Sequence, residues 1–277
     1  MVSSDYTANT CKSLVITNSD SPLIFHIPHS STIIPKELAH HFCCDSEQLK
    51  YEANIMGDLF TDELFAPLSA RGSSITAQFS RIACDVERFD DDNAESMSKH
   101  GMGALYTHSA TKNRIRFKNH NRQEALELLY KPHHKQFNQL VNQALEKHSQ
   151  AIIIDCHSFP STNRWYQPGF EDNQTLPDIC IGTDAFHTPA YLRDFMHDFF
   201  QERNYNVAEN QPFSGSITPI EHYGKTQNVL SIMIEINRNL YMDEIQFSKH
   251  NGFMTLLDTM NDLAEALVDL TSNQANA

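Results

Sequence analysis

The chain contains short apolar runs whose ends are marked by polar residues or proline. Three runs have the length and composition of buried strands: Leu23–Ile27, 151–156 and 229–236. Pro28 closes the first of them, as expected where a strand gives way to a loop. Two shorter pieces, 74–79 and 82–86, are also predicted to be strands.

Elsewhere hydrophobic residues recur every three or four positions, which is the spacing of an amphipathic helix. This pattern predicts one or two helices over 46–65 and further helices over 122–148, 191–203 and 245–270, with an interruption at Pro132. Strands that alternate with helices, without hairpin signals, indicate an α/β fold. We expect a mixed, mostly parallel sheet flanked by helices.

The chain shows no internal repeat or linker, so we expect one catalytic domain over residues 21–272. Residues 1–20 are polar and without periodicity, and we predict a loose N-terminal arm there. Residues 160–178 form a long polar stretch, which in a compact domain is usually a functional or mobile loop. Whether that loop is a lid is open at this stage.

Composition narrows the range of partners. The 277 residues include 35 acids against 21 Lys and Arg, a formal net charge of -14, which disfavours nucleic acid or an anionic membrane surface as a partner. The apolar runs are shorter than the roughly 18 residues that a membrane span needs. The first residues lack the charged and apolar regions of a signal peptide, so we expect a cytoplasmic protein with a small-molecule substrate. The sequence carries no signal for oligomeric state.

Polar clusters follow the three apolar runs. His29 comes directly after the first, Asp155 and His157 end the second, and Glu235 ends the third. In open α/β sheets the ligand site lies beyond the carboxyl ends of the strands, so these groups are expected to meet. Two imidazoles and one carboxylate would hold a divalent cation and leave a position open, which is typical of a catalytic hydrolase site.

Single residues of these clusters admit structural interpretations as well. Glu235 lies where an isolated buried charge would be costly; it is either a general base and acid or the partner of an arginine such as Arg238. His26 is three residues from His29 and therefore faces the opposite side of a strand, so we expect a structural role for it. Asp155 shares a face with His157 and either orients that imidazole or caps a turn.

Arginines near the predicted strand ends suggest an acidic substrate. Arg81, Arg88 and Arg238 each offer a planar guanidinium that binds carboxylates with two hydrogen bonds, although surface ion pairing is the alternative for each. Arg81 and Arg88 are expected to act in catalysis, by stabilising an oxyanion or holding substrate carboxylates. Ser158, Asn237 and Arg238 are expected to bind the substrate.

Taken in order, six motifs resemble those of the N-formylglutamate amidohydrolase family, and the resemblance extends over about residues 22–260. They are IPHSS (27–31), SRIACDVER (80–88), GALYTH (103–108), IIIDCHSF (152–159), GSIT (215–218) and IEINRNLYM (234–242). Members of this family are similar in fold to zinc carboxypeptidases and aspartoacylases. The resemblance implies hydrolysis of N-formyl-L-glutamate to formate and glutamate, a late step of histidine degradation.

The resemblance also implies site residues. It makes His29 and His157 metal ligands and Glu235 the general base. The related peptidases take a carboxylate ligand from an HxxE spacing, but Thr32 stands at that place here. Asp58 is our choice for the missing carboxylate, with Glu52 as the second choice.

Three positions depart from the family pattern. Glu87 stands where members usually have asparagine, Pro219 stands where an arginine often follows the Ile-Thr pair, and Ser31 stands where glycine is common. These changes affect the expected substrate more than the expected metal chemistry.

The sequence thus predicts a metal-dependent amidohydrolase acting on a small N-acyl amino acid, with N-formyl-L-glutamate as the first expectation. The metal is expected to be zinc, although iron, cobalt, nickel or manganese suits a similar set of ligands. One alternative is a deacylase or carboxypeptidase-like enzyme with another acyl group or a peptide substrate. Another is a non-catalytic protein that binds a metal or an amino acid.

Overall fold

The computed structural model describes residues 13–162 and 175–275, and a single large sheet dominates this part of the chain. Its strands are β1 (Leu14–Thr17), β2 (Leu23–Ile27), β3 (Ser73–Ala77), β4 (Ala151–Phe159), β5 (Ile179–Thr183), β6 (Val207–Glu209) and β7 (Val229–Asn237). They lie in the order β1-β3-β2-β4-β7-β5-β6. The inner strands β3, β2, β4 and β7 run parallel, whereas β1 and β5 run antiparallel to their inner neighbours.

Helices cover both faces of the sheet. They are α1 (Ser46–Met56), α2 (Thr61–Leu64), α3 (Ala66–Ser69), α4 (Arg122–Ala125), α5 (Lys131–His148), α6 (Ala190–Gln201) and α7 (Gly252–Ala275). Side chains of α2, α3, α6 and α7 form the larger core on one face, and α5 packs on the other face. The predicted α/β fold, a mixed and mostly parallel sheet flanked by helices, is confirmed.

Alternation along β4 and β7 sorts their side chains between the two faces. Ile152 and Ile154 of β4 point into the core beneath α2, α3, α6 and α7, whereas Ile153 packs against α5. Towards the carboxyl ends the α5-facing positions become polar, and they carry Asp155, His157 and Glu235. The sheet therefore presents its ionisable groups on one face and at one edge.

Pro132 does not break the predicted helix over 122–148. A π-helical turn, Leu126–Tyr130, joins α4 to α5 directly before it. Proline lacks the N–H that would bond to the carbonyl four residues earlier, and a locally widened turn accommodates this loss. The helix at the end of the chain begins at Gly252, because residues before it form a small hairpin of β8 (Met242–Asp243) and β9 (Ser248–Lys249).

Two predictions about local structure are wrong. Residues 82–86 are a turn segment and not a strand, because the carbonyl groups of Ile82 and Ala83 accept hydrogen bonds from the buried guanidinium of Arg116 and not from a neighbouring strand. Within the predicted loose arm, Leu14–Thr17 is an edge strand paired with β3. Residues 1–12 of that arm lie outside the described residues, as do residues 163–174 of the predicted long loop.

In the part of the chain that the structure describes, no helix combines the length and the hydropathy that a membrane crossing requires.

Candidate active site

The carboxyl ends of β4 and β7 open into a cavity of about 640 Å³. Asp155, His157 and Glu235 lie on its sheet side, and segments around 86–90, 95–97 and 213–218 enclose it from other directions. Its volume falls in the range of small-molecule sites, which commonly measure about 300–1,000 Å³. Two of the three polar clusters predicted from the sequence, the one with Asp155 and His157 and the one with Glu235, therefore meet at this cavity.

His157 and Glu235 reach the cavity because their strands are in register. β4 and β7 pair in parallel with His157 opposite Glu235, so both side chains point to the same face. His29 follows the end of β2 at Pro28, and its ring centroid lies 5.2 Å from that of His157. Both imidazoles are almost fully buried.

In each of the two imidazoles, one ring nitrogen lies within hydrogen-bond distance of a buried aspartate. The Nε2 atom of His29 lies 2.9 Å from Oδ1 of Asp85, and Nε2 of His157 lies 3.0 Å from Oδ1 of Asp155. Imidazoles that ligate metals usually donate the other ring N–H to such a carboxylate, which fixes the tautomer and the ring orientation. Asp155 thus makes the contact with His157 that strand alternation predicts.

The remaining nitrogens, Nδ1 of both rings, face Asp58. Its Oδ2 atom lies 3.1 Å from Nδ1 of His157 and 3.7 Å from Nδ1 of His29, which has no hydrogen-bond partner. Its other oxygen, Oδ1, accepts a hydrogen bond of 3.1 Å from Arg238. Burial alone would raise the pKa of Asp58, but the hydrogen bond from His157 and the nearby imidazole of His29 hold that pKa well below its ordinary value.

Besides Asp58, Glu87 is a second carboxylate that lies close to both imidazoles. Its Oε1 lies 3.0 Å from Nε2 of His157, and its Oε2 lies 3.7 Å from Nδ1 of His29. One potential ligand atom from each of His29, Glu87 and His157 lies within 4.8 Å of the other two, as the binding of one metal ion requires. The family resemblance marks Glu87 as an unusual residue at its position, but the sequence analysis did not predict it as a ligand. Its acidic side chain, two residues after Asp85, was the signal that could have identified it.

These donors fit a divalent cation with an N/O ligand set. The unpartnered Nδ1 of buried His29 is the observation that supports this fit, because a buried imidazole nitrogen is normally paired. Asp58 faces the Nδ1 atoms that Asp85 and Asp155 leave available, whereas Glu87 competes with Asp155 for Nε2 of His157. The three donor atoms that lie within 4.8 Å of one another include Glu87 and not Asp58, so the choice of Asp58 as the carboxylate ligand stays a prediction.

Glu235 is buried, and its Oε2 atom has no hydrogen-bond partner. Burial raises its pKa from 4.5 to about 8. Among the described residues no arginine lies within salt-bridge distance of Glu235, and Arg238 is paired with Asp58 instead. The structure therefore supports the interpretation of Glu235 as an acid–base group over that of a salt-bridge partner.

The three predicted arginines differ in their availability. Arg81 donates twice to Oδ2 of Asp85, at 3.1 and 2.8 Å. Arg238 is buried and donates to Asp58, to Oγ of Ser158 and to the carbonyl of Ile55.

Arg88, by contrast, lines the cavity with 26% of its side chain exposed, and its Nε has no hydrogen-bond acceptor. Arg88 is therefore the guanidinium best placed to meet a ligand.

Two predicted residues lie elsewhere than expected. Asn237 donates from its amide to the carbonyl of Pro177 and accepts from the backbone N–H of Asn239, so it caps the turn after β7 and does not line the cavity. Glu52 accepts a hydrogen bond from the backbone N–H of Ala110 and lies within salt-bridge distance of neither His29 nor His157. Burial raises the pKa of Glu52. Its interpretation as the second-choice ligand is wrong, because helix α1 directs its side chain to the 109–110 loop.

Ser158 lines the cavity, but its hydroxyl oxygen already accepts hydrogen bonds from other side chains of the protein. The Oγ atom accepts hydrogen bonds from Tyr241 at 2.8 Å and from Arg238 at 3.3 Å. Its contribution to substrate binding stays a prediction.

Comparisons with known proteins agree with this architecture. Residues 21–242 match the model of a protein family described as N-formylglutamate amidohydrolase. An N-formylglutamate deformylase of Pseudomonas putida is 25% identical over 184 residues, which are 63% of this chain and 66% of that protein. The alignment thus spans just under two thirds of that relative.

Two solved structures resemble the fold. The crystal structure of an N-formylglutamate amidohydrolase from Ralstonia eutropha superimposes with a TM-score of 0.81 at 20% identity, over 95% of this chain and 99% of that one. A gene product of Agrobacterium tumefaciens superimposes with a TM-score of 0.65 at 18% identity, over 93% of this chain and 96% of that one. At these identities the likeness establishes the fold.

Proposed function

Since the chain belongs to the N-formylglutamate amidohydrolase family, we propose that it is a metal-dependent hydrolase that cleaves the amide bond of a small N-acyl amino acid. N-formyl-L-glutamate is the first substrate to consider, with formate and glutamate as products. The observation that carries the proposal is the unpartnered Oε2 atom of buried Glu235, a residue that stands opposite His157 in the strand register and lines the cavity. A cytoplasmic role in histidine degradation would follow from that substrate.

His29, His157 and Asp58 would hold the metal ion, for which zinc is our choice, with Glu87 as a neighbouring carboxylate. When bound, the cation supplies Lewis-acid chemistry, which polarises the acyl carbonyl and makes water more acidic. Asp85 and Asp155 hold the two imidazoles in the orientation that this requires.

Glu235 acts as general base and then as general acid. Its carboxylate takes a proton from the water whose oxygen attacks the acyl carbon, and it returns that proton to the amide nitrogen as the C–N bond breaks. The raised pKa suits proton transfer near neutrality, and the positive charge of His157 or of a cation opposes the effect of burial so that the ionised form is accessible.

Arg81 and Arg88 supply positive charge at the cavity. Arg81 is held in place by Asp85 and stabilises negative charge that develops on the acyl oxygen. Arg88 is less engaged with protein groups and binds a carboxylate of the substrate.

The test is formate release from N-formyl-L-glutamate by the purified protein, with and without a chelator, together with elemental analysis. A panel of N-formyl, N-acetyl and peptide substrates separates the proposed activity from a deacylase or peptidase with another preference. No chelator-sensitive hydrolysis of any N-acyl amino acid would defeat the proposal. A non-catalytic metal-binding protein would retain metal and gain thermal stability from it, yet show no rate that Glu235→Gln changes.

A further inference from the structure

His26 and Asp155 stand opposite each other on the neighbouring parallel strands β2 and β4. Partners in register point to the same face of a sheet, and here that face is the one that α5 covers. Nδ1 of His26 lies 2.8 Å from Oδ1 of Asp155, and both side chains are buried. A carboxylate only accepts hydrogen bonds, so Nδ1 of His26 carries the hydrogen and donates it.

Two side chains of α5 hold the ring of His26 in place. Nε2 of His26 lies 2.9 Å from Nε2 of His133, and the ring stacks on Phe137 with centroids 4.7 Å apart and an interplanar angle of 16°. One hydrogen lies between the two Nε2 atoms, whichever imidazole carries it, because a hydrogen bond needs one donor and one acceptor. The His26 ring therefore has a partner at each nitrogen and on one face, which fixes its direction.

The oxygen of Asp155 that accepts from His26 is also the one that faces His157. Oδ1 of Asp155 lies 3.0 Å from Nε2 of His157, and Oδ2 accepts a hydrogen bond of 3.2 Å from the backbone N–H of Ile217. Burying a carboxylate is costly unless donors pair with it. Of these three hydrogen bonds, the one from His26 is the shortest. Its position therefore determines where Oδ1 lies and how the His157 ring is turned.

Glu87 increases the importance of the same donor. Its Oε1 atom lies 3.0 Å from Nε2 of His157 and 3.5 Å from Nδ1 of His26. Two imidazole N–H groups thus lie between two buried carboxylate oxygens, those of Asp155 and Glu87. Without the N–H of His26, both oxygens would share the single N–H of His157, and we expect the two like charges to move apart.

We propose that His26 is a positioning residue of the candidate metal site: through Asp155 it holds the His157 imidazole so that Nδ1 is available as a ligand. The contact with His133 fixes the His26 ring. The inference rests on the proposed function, which makes His157 a metal ligand. Loss of a group that binds the other N–H of a ligand imidazole weakens metal binding about 10- to 100-fold. His26 acts on such a group, so we expect its effect near the lower end of that range.

The first measurement is the affinity of the full-length protein for Zn²⁺, by competition with a chromophoric chelator. His26→Phe keeps a ring that can stack on Phe137 but removes both nitrogens, and we expect Zn²⁺ to bind about tenfold more weakly. His26→Asn keeps an amide N–H at the place of Nδ1, and its affinity should stay within about threefold of wild type. Equal losses in both variants would show that the N–H towards Asp155 is not the cause.

His187→Phe is the matched control, because His187 is also fully buried with a hydrogen bond at each ring nitrogen. Its Nδ1 donates to the carbonyl of Val229, its Nε2 accepts from the N–H of Gly224, and it is not among the described residues that line the cavity. We expect His187→Phe to lower the free energy of unfolding in urea but to bind Zn²⁺ like wild type. Equal Zn²⁺ affinity of His26→Phe and His187→Phe would reduce His26 to a structural residue.

His133→Phe keeps the measurement decisive if His26→Phe does not fold. It removes only the contact at Nε2 of His26, so we expect a smaller loss of Zn²⁺ affinity in the same direction. His133→Phe that binds Zn²⁺ as tightly as His187→Phe would contradict the anchoring of His26.

Crystal structures of metal-free wild type and of the folded variant separate this inference from the proposed function. If wild type binds no Zn²⁺, the proposed metal chemistry fails, yet Oδ1 of Asp155 should still move beyond about 3.5 Å from Nε2 of His157 in the variant. An unchanged distance overturns the inference whether or not Zn²⁺ binds. His26, Glu87 and Asp155 also offer three potential ligand atoms within 4.8 Å of one another. A Zn²⁺ ion bound to Nδ1 of His26 in the zinc-loaded protein would make His26 a ligand and equally overturn the inference.

Discussion

His157 and Glu235 stand directly opposite each other on the adjacent parallel strands β4 and β7. Each follows an apolar run that fixes its strand, and the register of the two strands makes them neighbours on the face that carries the cavity. One of them is a proposed metal ligand and the other the proposed acid–base group. The proposed chemistry therefore depends on the register of these two strands.

The proposed role of Glu235 predicts that removing its charge greatly lowers kcat. Glu235→Gln preserves shape but cannot take a proton, and we expect kcat to fall about 10²- to 10⁴-fold, the usual contribution of general acid–base catalysis. Metal content should stay the same, because Asp58 and the two imidazoles are untouched. Steady-state kinetics with parallel metal analysis checks this; a variant that keeps wild-type kcat would exclude Glu235 from proton transfer.

The raised pKa of Glu235 also predicts a pH dependence of stability in the metal-free protein. Between 4.5 and about 8 the folded protein holds a proton on this carboxyl that the unfolded chain has lost. Because the folded state binds more protons there, the contribution of Glu235 to stability decreases as pH rises through that window.

Urea unfolding of wild type and Glu235→Gln at several pH values measures this contribution. The variant should become more stable relative to wild type as pH increases, with most of the change between about pH 5 and pH 8. Parallel curves for the two proteins would show that Glu235 titrates near its ordinary pKa.

The competition between Asp58 and Glu87 predicts different metal affinities for two matched variants. Asp58→Asn removes the oxygen that faces Nδ1 of both histidines, and we expect metal affinity to fall more than about 100-fold, beyond the 10- to 100-fold loss typical of groups around the ligands. Glu87→Gln should weaken binding by about tenfold. Competitive titration with a chromophoric chelator measures both, and the reverse order would make Glu87 the ligand.

The hydrogen bonds of Arg116 predict that its substitution, outside the candidate active site, lowers the free energy of unfolding. Its buried guanidinium donates to the carbonyl groups of Ile82, Ala83 and Tyr106, and it thereby holds the segment before Asp85. Arg116→Met would leave these carbonyls unpaired, at a cost of about 1–3 kcal/mol for each, so the free energy of unfolding should drop by at least about 3 kcal/mol.

The exposed neighbour Arg114 provides the control for that measurement. Arg114→Met should change the free energy of unfolding by no more than about 0.5 kcal/mol, as surface substitutions usually do. If both variants unfold at the same urea concentration as wild type, the hydrogen bonds of Arg116 do not stabilise this segment.

Hydrophobic periodicity alone determined the main elements of the sheet and its helices. Strands β2, β4 and β7 coincide with the three apolar runs, and helices α1, α5 and α6 coincide with the predicted amphipathic stretches. These elements are predictable because burial imposes a repeat of two or 3.6 residues on the local sequence. The same rule placed His29, His157 and Glu235 at the carboxyl ends of strands.

Contacts between side chains from distant segments were decided only by the tertiary structure. Glu52 and Asp58 lie six residues apart, and their local sequence pattern does not distinguish them. In the structure Glu52 contacts the loop at Ala110, whereas Asp58 contacts the two histidines. Glu87 and His134 reach the cavity through a turn segment and a long helix whose paths depend on packing, including the hydrogen bonds of Arg116. Local sequence sets which face a residue takes within its element, whereas the partner it finds there depends on how whole elements pack.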